Sequence, residues 1–165
     1  MAETPEREIL TWDAFGSATR TLAAEIVGEG FHPDIVLAIA RGGLTVAGAL
    51  AYALDTKNCF AMNVEFYTAV DERLDMPAVL PPTLDKVDLT GLRVLIADDV
   101  ADTGKTLELV RKEVAEYVAE ARCAVLYSKP WSVITPEYVW RHTEKWINFP
   151  WSCDGPVDGA ANRDA

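Results

Sequence analysis

Two unbroken apolar runs, DIVLAIA at Asp34–Ala40 and RVLIA at Arg93–Ala97, constrain this chain more than any other feature. A strand with one face in water alternates apolar and polar residues, whereas these runs offer water nothing after their first residue. Such strands belong in the middle of a parallel sheet covered by helices on both faces. The flanking segments carry the helical period that this requires. Thr11 can cap a helix whose apolar face runs Phe15, Ala18, Leu22 and Ile26 and ends near Gly28 and Gly30. Leu44–Leu54 and Lys105–Glu120 read as further helices, and Asn58–Phe66 and Ala121–Tyr127 as further strands. Strands separated by helical spans imply βαβ crossovers. The expected fold is a single α/β domain: a twisted, mostly parallel sheet of about five strands flanked by helices, with a small tryptophan-rich C-terminal hood.

A length of 165 residues suits one domain, expected over residues 11–153 between a flexible N-terminus (1–10) and a flexible tail (154–165). The 26 acidic and 15 basic residues give a net charge of −11, which argues against a nucleic-acid partner, since such proteins present basic faces. A small polyphosphate stays open as a ligand, because local donors and a metal decide such a site. Cys59, Cys123 and Cys153 have neither metal-ligand nor disulfide spacing. No stretch reaches the length of a membrane span and Met1–Leu10 has no apolar run, so no membrane association and a cytoplasmic location are expected.

The chemistry concentrates in VLIADDVADTGKT, Val94 to Thr106. A buried strand at Arg93–Ala97 runs into a loop, Asp98–Gly104, that begins with two acids, and a turn, Asp102-Thr103-Gly104-Lys105-Thr106, opens a helix. Ligands of open parallel sheets sit beyond the carboxyl ends of the strands. The turn offers amides, two hydroxyls and a helix N-terminus to a phosphate dianion, and Gly104 permits close approach. A nucleoside-triphosphate P-loop would need glycine five positions before Gly104, where Asp99 stands. Asp98 and Asp99 fit a ribose diol and a Mg²⁺ ion better, these being hydrogen-bond donors and a cation. A capped, solvent-exposed turn without ligand is the plainer alternative.

This segment resembles the signature of the type I phosphoribosyltransferases: an apolar strand, two acids, two mostly apolar residues and a small-residue phosphate loop. The resemblance runs from about residue 30 to residue 151. It implies that Asp98 and Asp99 hold the ribose hydroxyls of phosphoribosyl pyrophosphate (PRPP) and help to hold magnesium, and that Asp102–Thr106 bind its 5′-phosphate. Ala40-Arg41-Gly42-Gly43 looks like the family's pyrophosphate loop, in which a non-proline cis peptide is common; Arg41 supplies a cationic fork, and the glycines after it expose backbone donors. The proline-containing stretch Tyr67–Thr90 occupies the place of the family's mobile lid.

Asp102 resembles the aspartate of the 6-oxopurine enzymes, which lies near N7 of the base; a carboxylate there can take a proton as N9 attacks. It can equally cap the following helix. Lys129, in Tyr127-Ser128-Lys129-Pro130, and Trp146-Ile147 are similar to residues of the bacterial xanthine-guanine and hypoxanthine enzymes. By that resemblance Lys129 meets O6, Trp146 stacks on the purine, and the Ile147 backbone reads the N1–N2 edge. Singly, Trp146 also suits a core and Lys129 a solvated surface. Trp12, Trp131, Trp140 and Trp151 are assigned to packing or a subunit interface. The apolar helix after Arg41 and the surplus tryptophans lead us to expect a homodimer or homotetramer. The implied activity is transfer of phosphoribose to guanine, xanthine or hypoxanthine. The alternatives are a catalytically weak PRPP- or nucleotide-sensing regulator of the same fold, and a transferase with another acceptor.

Overall fold

The computed structural model describes residues 6–65, 78–80, 89–158 and 160. Eight strands and three helices follow in the order β1 (Arg7–Ile9), α1 (Trp12–Gly28), β2 (Ile35–Ala40), α2 (Gly42–Ala53), β3 (Cys59–Glu65), β4 (Ala78–Leu80), β5 (Arg93–Ala101), α3 (Lys105–Ala115), β6 (Glu120–Ser128), β7 (Tyr138–His142) and β8 (Trp146–Asn148). A six-stranded sheet has the order β4-β3-β2-β5-β6-β7, and β1 pairs with β8 in a separate two-stranded ribbon. All pairings in the large sheet are parallel except β3 with β4.

The apolar runs sit where their composition requires. β2 and β5 are neighbours at the sheet centre, and their alternate residues feed two cores. Val36, Ala38, Leu95 and Ala97 meet α1 and α2 on one face; Ile35, Leu37, Ile39, Val94 and Ile96 meet α3 on the other. Each fully buried Leu or Ile contributes about 1.5–3 kcal/mol relative to exposure. Thr11 caps α1 as its position suggests, its Oγ1 accepting from the Ala14 amide at 3.2 Å.

The helices α2 and α3 therefore leave the sheet on opposite faces, and strand order reverses between β2 and β5. Ligands of open α/β sheets bind at such a switch point. Pairing of β5 with β2 ends at Ala38↔Ala97, whereas pairing with β6 continues to Ala101↔Ser128. Asp98–Ala101, expected in a loop, is thus a continuation of the strand held from one side only. The opening on the other side is a crevice.

Three further expectations change. Residues 7–9, expected within a flexible N-terminus, form a strand because β8 provides a partner in register (Arg7↔Trp146), and Leu10 just after it is buried. α3 ends at Ala115 rather than Glu120, because β6 already starts at Glu120 beside Arg93. The sheet gains β4 and β7 beyond the strands expected. The lid expectation for Tyr67–Thr90 lies outside the described residues, apart from Ala78–Leu80, Leu89 and Thr90.

Candidate active site

The carboxyl ends of β2, β5 and β6 bring the residues singled out in the sequence to one side of the sheet. Arg41 follows β2 through a cis peptide bond at Ala40-Arg41, and it is exposed. The two glycines after it are dictated by packing across the switch point. A Cβ on Gly42 would collide with the Asp99 carboxylate, and one on Gly43 with the Ala97 carbonyl oxygen. The β2–α2 turn can lie against the end of β5 only because both side chains are missing.

Asp98 and Asp99 stand in the crevice, half-buried, with the Asp99 amide donating to Asp98 Oδ1 at 2.9 Å. Burial, and then the Asp99 charge, push the Asp98 carboxyl well above the ordinary carboxylate range. Burial also raises Asp99, against hydrogen bonds from the Val100 backbone, the Asp98 side chain and the Trp151 side chain. Two adjacent carboxylates so placed have no cation against them among the described residues. They suit a cation and hydroxyl groups, which supply positive charge and donors.

The turn after β5 is fixed from outside. Gly104 has φ +77°, and a Cβ there would strike Ser132 Oγ and the Ile134 side chain. The Val133 amide donates to the Thr103 carbonyl at 2.9 Å. Gly104 is the N-cap of α3 and has no side chain to offer the first turn; the Lys105 amide donates to Thr103 Oγ1 at 3.4 Å, and the Thr106 amide is left for a ligand. Asp102 is not the cap. Its Oδ1 instead accepts from the Trp131 indole Nε1 at 2.9 Å.

Lys129 follows β6 and is buried, with 8% of its surface exposed; its Nζ donates to the Lys145 carbonyl. Trp146 and Ile147 lie on β8, the first exposed and the second buried.

Three adjoining cavities run along this rim. One of ≈ 300 Å³ is lined by Arg7, Asp102, Lys129, Trp146 and Ile147 among others. A second of ≈ 100 Å³ is lined by Asp98, Asp102, Thr103, Gly104 and Thr106, and shares Val100 and Asp102 with the first. A third of ≈ 850 Å³ is lined by Arg41, Gly42, Asp99 and Trp151, and shares Ser152 with the first. Every candidate residue except Lys105 lines one of the three; Lys105 stands exposed at the start of α3.

Trp151, assigned to packing or an interface, does pack, stacked on Phe149 against the core, and it also reaches Asp99. Sequence reading missed two contacts at the site. Trp131, given the same assignment, donates to Asp102. Arg7 reaches the first cavity and donates to Asn148 Oδ1 at 3.0 Å. A tryptophan two residues after Lys129 carried a signal in its position, whereas Arg7 depends on a pairing between chain ends that no local pattern announces.

Residues 6–156 match the profile of the phosphoribosyl transferase domain. The chain is 34% identical over 153 residues to the xanthine-guanine phosphoribosyltransferase of Roseobacter denitrificans, covering 86% of this chain and 83% of that one. Among solved structures it resembles a purine phosphoribosyltransferase from Pyrococcus horikoshii, with a TM-score of 0.78 and 38% identity over 92% of this chain and 96% of that one. The xanthine-guanine-hypoxanthine phosphoribosyltransferase of Helicobacter pylori shares the fold at a TM-score of 0.74 and 19% identity, covering 88% of this chain and 94% of that one.

Proposed function

The chain belongs to the phosphoribosyltransferase family, and on that premise we propose that it transfers the phosphoribosyl group of PRPP to N9 of a 6-oxopurine, releasing pyrophosphate. The observation that carries the reading is that Val100 and Asp102 line both the small cavity at the turn and the larger one beside Lys129 and Trp146. A phosphosugar in the first and a planar base in the second would meet at a shared carboxylate.

In this reading the 5′-phosphate sits on the turn Asp102–Thr106, taking donors from its amides and from Thr103 and Thr106. The ribose hydroxyls donate to Asp98 and Asp99. The diphosphate lies along Arg41 and the Gly42 amide. The base stacks on Trp146 and accepts from Lys129 at O6, and the Ile147 backbone reads its N1–N2 edge. Lys129 spends one proton on the Lys145 carbonyl and keeps two for this contact. A carbonyl at O6 satisfies such a donor, and the amino group of adenine does not.

A magnesium ion fits the donor set. No group of three or more His, Cys, Asp or Glu converges among the described residues. Magnesium characteristically takes one or two carboxylates and completes its shell from substrate oxygens and water, and Asp99 and Asp98 supply that pair. When bound, the ion would neutralise charge on the departing diphosphate.

The bond made is C1′–N9 and the bond broken is C1′–O to the diphosphate, which leaves with the electron pair. Positive charge develops on the sugar ring, as in other glycosyl substitutions. Asp98 and Asp99 hold the ring for in-line attack, Arg41 stabilises the leaving group, and Asp102 takes the proton released by the base. A homodimer or homotetramer belongs to the same reading, with the outward Leu44 and Tyr52 of α2 as contact residues, as does a cytoplasmic location.

Pyrophosphate release from PRPP and Mg²⁺ with a panel of bases tests the proposal. Release with guanine, xanthine or hypoxanthine is expected. Release only with adenine or orotate would overturn the acceptor, and tight PRPP binding without release would overturn the transfer.

A further inference from the structure

The Asp102 carboxylate does not cap α3, so its orientation must come from elsewhere, and among the described residues one side chain donates to it. The Trp131 indole Nε1 lies 2.9 Å from Asp102 Oδ1. Trp131 is 54% exposed, which is not how a tryptophan kept for core packing sits. Its backbone is nevertheless held. The Ser132 amide donates to the Lys129 carbonyl at 3.1 Å, the Val133 amide to the Thr103 carbonyl at 2.9 Å, and Ser132 Oγ to the Ile134 carbonyl at 2.8 Å. Lys129 Nζ stands 5.6 Å from the centroid of the Trp131 ring. A cation over the face draws density from the indole, and so strengthens its N–H as a donor.

We propose that Trp131 is a positioning residue for the transfer: its indole N–H pins Asp102 Oδ1 and leaves Oδ2 to take the proton of the base. The proposal rests on the reading of Asp102 as proton acceptor, and it adds the reason that this carboxylate holds one rotamer. A charge-assisted hydrogen bond to one oxygen restrains the rotation of the carboxylate. The ring lies between Lys129, which meets O6, and Asp102, which meets the imidazole side of the base. One indole thereby ties the two groups that read opposite edges of the purine. A bare carboxylate on an exposed turn would sample several rotamers, and catalysis falls steeply when a reacting group is displaced.

The test is a double-mutant cycle read in single-turnover rates at saturating PRPP, Mg²⁺ and guanine. Trp131→Phe keeps an aromatic ring and removes the donor. Its rate should fall roughly tenfold, with the Kd for PRPP within about twofold of wild type. In an Asp102→Asn background the same substitution should cost no further rate, because it acts through that carboxylate. Trp131→His should recover most of the loss, since its Nε2–H can occupy the ring position of the indole Nε1. Circular dichroism and Tm of each variant establish that it is folded.

An equal loss from Trp131→Phe in both backgrounds would mark a packing role and overturn the proposal. So would an unchanged rate in Trp131→Phe when Asp102→Asn is slow. An unchanged rate in Asp102→Asn would instead remove Asp102 from proton transfer, a failure of the earlier reading that takes this proposal with it.

Discussion

The turn after β5 and the ribbon of β1 with β8 line the same cavity, and they are built on different terms. The turn is crowded. Gly104 has no room for a Cβ, the Thr103 carbonyl is bonded to the Val133 amide, and Asp102 is bonded to Trp131. The ribbon is three residue pairs long and stands apart from the main sheet, with Trp146 66% exposed and Arg7 also exposed. A two-stranded ribbon has little stability of its own and depends on the core it joins, here through the buried Leu10, Ile147 and Phe149. The difference teaches where tolerance lies. On the proposed roles, the groups assigned to the sugar and the moving proton sit in a part that cannot yield, while Trp146 and Ile147, assigned to the base, sit in one that can.

The largest effect is expected on the crowded side. Gly104→Ala forces an alanine into a positive-φ position and against Ser132 and Ile134, so the turn must move. The kcat/KM for PRPP should fall roughly hundredfold, whichever base is supplied. A loss confined to one base would erase the distinction between the two regions.

Trp146→Ala should act on the other side alone. Losing a stacking surface costs about 1–2 kcal/mol, so the KM for the base should rise roughly tenfold while the KM for PRPP stays unchanged in steady-state kinetics. Equal changes in both would mean that the ribbon also shapes the sugar site.

The smallest effect concerns stability. The folded state raises the Asp98 pKa, so the folded chain binds that proton more tightly than the unfolded chain does. Stability from this group is therefore intact below the ordinary carboxylate range, about pH 4, and is lost as the pH climbs from there through the raised pKa. Asp98→Asn removes the loss. In thermal melts without ligand it should raise Tm by about 2–4 °C at neutral pH and change little near pH 3. A variant destabilised at neutral pH would show that the charge is already compensated within the protein.

The same two regions mark how far the sequence could be read. Asp98, Asp99 and the turn to Thr106 were legible because strand, acids, glycine and helix start are contiguous, and contiguous residues have few ways to be arranged. The Gly42-Gly43 pair was legible as a turn, but its reason was not, since the atoms that exclude a Cβ belong to β5. Lys129, Trp146 and Ile147 stand out in the sequence only through the family resemblance. Arg7 was not found, because its place depends on a strand pair 139 residues apart in register, Arg7↔Trp146. The position of Trp131 near Lys129 is plain in the sequence, but the direction of its N–H, toward Asp102, is a matter of tertiary geometry. Asp98–Ala101 reads as part of a loop because nothing local says that β6 continues beside β5 after β2 has parted from it.

The central claim is that the parting of β5 from β2 creates a seat in which two carboxylates hold a ribose while the next turn holds its phosphate. Crystals grown with PRPP and Mg²⁺ test it most directly. The account predicts the ribose hydroxyls within hydrogen-bonding distance of Asp98 and Asp99, and the 5′-phosphate on the amides of Thr103 to Thr106. Density for the sugar phosphate anywhere else, with both carboxylates left without it, would contradict the account.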